Sequence, residues 1–165
     1  MKTSQPLPRS EAADNAGPVA PELKSALDAL ETALATPMVP GEHEAWTKAI
    51  SEAWKASEAV IRQHLGRHEQ QYEEMLAADP EIFRRVDLLR EEGRAIADEV
   101  RAVGENIDKL RLKTPVAEPN EARTDKEREA AVDGGISLLV RIRKQEVAIG
   151  TWYSEAFNRD RGAVD

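Results

Sequence analysis

Between residues 82 and 110 the chain repeats on a strict alternation of four and three: Ile82, Val86, Leu89, Gly93, Ile96, Val100, Val103, Ile107 and Leu110. That rhythm keeps one stripe on one side of an α-helix, and such a stripe is stable only when other helices cover it. The segment therefore predicts helix-on-helix packing. Its one irregularity is Gly93, which brings no side chain to the seam and costs a helix about 1 kcal/mol relative to alanine. A gap in the core is expected there.

Three more stripes follow the same logic. A first helix opens at Pro21-Glu22, carries Leu23, Leu27, Leu30 and Leu34 inward, and is closed by Pro37 and Pro40. A second is expected from near Glu42 to about Ala78, with an inner stripe of Trp46, Ile50, Ala53, Ser57, Val60 or Ile61, His64, His68, Tyr72 and Met75. The third starts with Asp79 as N-cap, Pro80 at the first helical position and Glu81 behind it, and runs to about Leu112. Lys113 to Arg123 contains Pro115 and Pro119 without an apolar repeat and reads as a loop, after which Thr124 and Glu127 fit a capping box.

The fourth helix places Val132, Ile136, Leu139, Ile142, Glu146, Ile149, Tyr153 and Ala156 on one face. Gly134-Gly135 is expected to kink it or delay its start, and the chain after Phe157 is expected to leave the helix. Residues 1 to 20 read as a flexible tail and residues 21 to 165 as one domain. The fold class is all-α, an up-down-up-down four-helix bundle. An extended antiparallel coiled coil competes with it, and the proline-bearing connections favour the compact form.

Charge narrows the partners. Asp and Glu number 31 against 23 Lys and Arg, for a net charge of −8. No basic surplus offsets phosphate repulsion or draws the chain to anionic lipid, so neither nucleic acid nor membrane is an expected partner. No apolar run approaches the roughly 20 residues of a membrane helix, and the N-terminal stretch lacks the apolar core of a secretory signal. A cytoplasmic protein is expected. The absence of cysteine excludes disulfides, thiolate metal sites and thiol catalysis. No nucleophile lies beside a base, and Ser57 reads as small filler bonding back to the preceding turn, so an enzyme is not the expectation.

Polar residues on an inner stripe are expensive unless satisfied, and three stand out: His64, His68 and Glu146. The two histidines are four residues apart, so both rings leave one face of the helix. That spacing suits two ligands of one ion, with Glu146 adding a carboxylate from a facing helix. Such donors fit iron, manganese or zinc rather than Cu(I). Equally, the pair can sit at the stripe's edge, hydrogen-bonded to Glu146 or water. His43 is expected at the surface, and Trp46, Trp54, Trp152 and Phe157 in or near the core.

The succession ALDALETALATP, IRQHLGRHEQQYEEML, RRVDLLREEGRAI, LVRIRKQEVAIGTWYSEAF and DRGAVD resembles the bacterial hemerythrin-like (HHE) domains across about residues 21 to 165. The resemblance implies a four-helix bundle and, in the family, a non-haem di-iron centre that binds or senses oxygen or handles iron and reactive species. Carried over, the family's helix 1 histidine falls on Leu27, the first helix 2 ligand on His64, and the glutamate after it on His68. The helix 3 histidine falls on Gly93, the helix 4 histidine on Ile142, and the helix 4 carboxylate on Glu146. A di-iron centre needs about five or six protein ligands, so the resemblance implies that this chain does not build one.

Three readings stay open. In the one the ligand loss favours, the bundle is a cofactor-free binding or interaction module, its partner a protein or a small ligand in a cavity near Gly93. In the second, His64, His68 and Glu146 hold a single non-haem iron or another divalent metal for oxygen, iron or stress sensing. In the third, the likeness is shared helix physics and the chain is an acidic adaptor bundle.

Overall fold

The computed structural model describes residues 20–111 and 121–158, with backbone alone for 121–124. Four helices account for nearly all of them: α1 Pro21–Ala35, α2 His43–Ala78, α3 Phe83–Arg111 and α4 Glu121–Asn158. A 3₁₀ turn, Pro80–Ile82, leads into α3, and no strand occurs among the described residues. None of the described helices is long and apolar enough to cross a membrane. Residues 1–19, 112–120 and 159–165, on which the tail and loop expectations fall, lie outside the described residues.

Local chemistry sets the helix ends. The Asp79 carboxylate accepts from the Glu81 backbone N–H at 3.1 Å, which makes it the expected cap, although the first turn is 3₁₀ and α3 proper begins at Phe83. The indole N–H of Trp46 donates to the Thr36 carbonyl at 2.9 Å and ties the start of α2 to the end of α1. Ser57 bonds back to the Ala53 carbonyl at 2.8 Å, as expected, and also reaches across to Ala26 of α1 at 3.0 Å.

Two expectations for α4 need correction. The helix starts at Glu121, so Thr124 lies inside it and is not its cap. Glu121 and Ala122 are good helix formers, and an acidic side chain suits the positive end of the dipole. Gly134-Gly135 does not delay the helix, which runs through both. A Cβ on Gly135 would lie 2.6 Å from Leu34 Cδ1, so this glycine lets α1 approach the α4 backbone. Helical geometry there is enforced by packing, which overrides glycine's poor propensity.

The apolar interior divides in two. One cluster joins all four helices through Leu23, Leu27, Leu30, Leu34, Ile50, Trp54, Ile61, Ile96, Val100, Val103, Ile107, Leu138, Leu139 and Ile142, among others. The second, Tyr72, Met75, Ile82, Val86, Leu89, Ile149, Tyr153 and Ala156, uses α2, the 3₁₀ turn, α3 and α4 only. The reason is length: α1 has 15 residues against 36, 29 and 38 in the others, too few to reach the far end.

Two aromatic or imidazole expectations also shift. Phe157 is 45% exposed, with its ring 4.8 Å from that of Tyr153 near the end of α4, which α1 does not reach. His43 is half-buried with its Nε2 inaccessible to solvent, because it faces inward from the first turn of α2. Trp46 and Trp54 are core, and Trp152 is half-buried with the Arg85 guanidinium over its ring at 4.9 Å.

Candidate functional site

The two apolar clusters do not meet. On α2 the stripe breaks between Ile61 and Tyr72, on α3 between Leu89 and Ile96, and on α4 between Ile142 and Ile149. His64, His68, Gly93, Gln145 and Glu146 fall in those breaks, so the interruption is a polar layer across the bundle.

In that layer Glu146 receives both histidines. Its Oε2 lies 2.8 Å from His64 Nε2 and its Oε1 lies 3.1 Å from His68 Nε2. The side chains are 9%, 14% and 4% exposed for Glu146, His64 and His68, so bulk water does little to screen them. The imidazole rings meet edge to face, with centroids 4.7 Å apart.

These contacts are close but off line. Both Nε2 atoms and Glu146 Oε1 are buried without a directionally acceptable hydrogen bond among the described residues. A good N–H···O bond prefers an angle above about 150°, and the rings do not offer it. Proximity without alignment means that three donor atoms are gathered without being fully satisfied by one another. One donor atom from each of the three residues falls within a single 4.8 Å group.

Burial alone would raise the Glu146 carboxyl, since a low-dielectric setting penalises charge. The neighbouring imidazoles outweigh burial through polar contact and positive charge, and hold the group down at about 2, against an ordinary 4.5. Glu146 is therefore a carboxylate, the form that pairs with cations or ligates a metal.

Gly93 has a different use from the expected cavity. A Cβ there would sit 3.3 Å from Gln145 Nε2, so an amide from α4 already fills the notch. That amide donates to the Leu89 carbonyl at 3.2 Å, and the Tyr72 hydroxyl approaches the same oxygen at 3.4 Å. A helical carbonyl has a second lone pair beyond the one its i+4 N–H uses. The missing side chain at residue 93 exposes this one to two other helices. Burial, reinforced by the charge of Glu146, pushes the Tyr72 phenol well above its ordinary range, so it stays a protonated donor.

Gln145 was not among the sequence candidates. It is 3% exposed, and its Oε1 has no hydrogen-bond partner among the described residues. The signal was available: four-three spacing through Ile142 and Ile149 passes through 145, and reading Glu146 as the stripe position hid it. All three expected site residues are brought together. Leu27 and Ile142 are buried at 1% and 2% within the four-helix cluster, hydrocarbon at positions where the resemblance would place histidine.

As a donor set, two imidazoles and one carboxylate suit a single divalent ion, since three protein ligands with an open position are a recurrent arrangement for zinc and non-haem iron. They do not suit two ions. The chain matches no protein-family model, no curated protein and no solved structure.

Proposed function

We propose that this protein is an up-down-up-down, hemerythrin-like bundle that binds one divalent transition-metal ion through His64, His68 and Glu146, and serves in metal-dependent sensing rather than di-iron oxygen carriage. The observation that carries the reading is the convergence of three buried donor atoms whose mutual contacts are short but misaligned. The topology draws support from paired contacts running in opposite senses, Trp46 with Thr36 and Ser57 with Ala26. A bound ion would supply Lewis-acid or redox chemistry. The protein's own share is to hold Glu146 ionised, keep both imidazoles on one side of α2, and limit water through the apolar clusters above and below.

The experiment is elemental analysis of the purified protein after exposure to Fe(II), Zn(II) or Mn(II) and removal of free ion. One equivalent is expected, lost in the His64→Ala/His68→Ala variant. Retention of no ion by the wild type overturns the reading, and two equivalents would restore a dinuclear centre.

A second reading has its own support. Each oxygen of Glu146 already faces one imidazole, so the triad can neutralise itself without metal, which leaves a cofactor-free interaction module. Val140 and Val147, seven residues apart on α4 and 43% and 68% exposed, offer a surface for a protein partner.

A further inference from the structure

A cleft of about 490 Å³ lies between α2 and α3, and its inner end reaches His68. Two glycines line it, Gly66 from α2 and Gly93 from α3. Gly93 accommodates Gln145, but Gly66 has no such reason, since a Cβ there would meet nothing within 4 Å. Glycine weakens the interior of a helix, and at residue 66 no packing contact compensates for it. What its small size does is leave the cleft open.

The α3 wall is cationic. Arg90 and Arg94 stand one turn apart and project from the same side of the helix. Arg90 is held by the Glu69 carboxylate and lies over the Tyr72 ring, 5.9 Å from its centroid, with Asp87 a further 3.7 Å contact. Arg94 is exposed and makes no ion pair within 4 Å among the described residues. Among the described residues Glu69 is the carboxylate that lines the cleft, and with Asp87 beside it both nearby carboxylates are engaged by Arg90, so the uncompensated guanidinium is that of Arg94.

We infer that this cleft binds a small oxyanion, a carboxylate or a phosphate-type group, at its outer part between Arg90 and Arg94. A guanidinium presents parallel N–H donors that match two oxygens of such a group. Arg90 is already oriented by Glu69 and Tyr72, and Arg94, which acts on Glu69 only through its charge, supplies the fork free to make contacts. The site stands apart from the metal reading, because its contacts come from arginine and from the space above Gly66.

The test is isothermal titration calorimetry of the metal-free full chain with sodium acetate and with sodium phosphate, against sodium chloride at matched ionic strength. Saturable binding of at least one anion is expected, acetate alone assigning a carboxylate ligand and phosphate alone a phosphate group. Arg94→Gln should weaken it about tenfold or more, as loss of a charge-assisted contact does. Gly66→Leu, which fills open space and improves helix propensity, should also weaken binding about tenfold or more, with an unchanged or higher melting temperature. No saturable binding of either anion, or equal binding by wild type and both variants, overturns the proposal. Either result leaves the metal analysis unaffected, so the two readings can fail separately.

Discussion

Glu146 brings a negative charge into a layer that neither apolar cluster covers, and the two imidazoles beside it set its energetic role. Its carboxyl is depressed to about 2 in the folded chain from an ordinary 4.5. The sign follows from linkage: the unfolded state takes up the proton first as pH falls. The associated stability is fully present above about pH 4.5 and is lost as pH drops from there through about 2. Urea unfolding of the metal-free protein across that window should show this loss, and Glu146→Gln should be less stable at neutral pH with a flatter acid limb. A parallel acid limb in the variant would contradict the role given to Glu146.

At Gly93 two effects nearly cancel. Alanine would gain about 1 kcal/mol of helix propensity and strain an amide bond worth about the same, so Gly93→Ala should change the unfolding free energy little. Gly93→Leu has no such balance. It must displace Gln145 and overpack the layer, at about 1–3 kcal/mol, measurable as a lower urea midpoint. The histidine pair was legible because four-residue spacing on one helix needs no tertiary knowledge. The Gln145–Leu89 bond was not, because nothing in a sequence says that a glycine on one helix exposes a carbonyl to another.

At the scale of elements, the four helices could be read because each carries its own periodicity and most carry their own stop signals. The α3 seam appeared as written, with Val86, Ile96, Val100, Val103, Ile107 and Leu110 all buried. The α4 start and its double glycine could not be read, since both depend on which helix lies alongside. That dependence has a measurable form. Gly135→Ala should destabilise the chain despite better propensity, because its Cβ would fall 2.6 Å from Leu34 Cδ1. In a Leu34→Ala background, itself costing about 2–5 kcal/mol, the same change should become neutral or favourable. A double-mutant cycle that returned simple additivity would remove the close-approach explanation. At the head of α3, Asp79→Ala should cost about 1 kcal/mol through loss of its cap, read in the same unfolding assay.

For the whole molecule, unequal helix length makes unequal stability. The end covered by α1 holds the larger cluster, and the far end relies on three helices plus the Tyr153 hydroxyl donating to Glu74 at 2.9 Å. Local opening follows the density of buried contacts. Amide hydrogen exchange should therefore be faster in residues 72–89 and 149–158 than in residues 50–61 and 96–110, and a bound divalent ion should slow it most near residues 64–68 and 142–149. Uniform protection along α2 would contradict this. The polar layer also behaves as a partition within one chain. Substitutions at Leu30 and at Met75 touch separate interiors, so their energies should simply sum, whereas either should interact with changes at His64 or Gln145. A band of five residues thus sets how far a disturbance at one end is felt at the other.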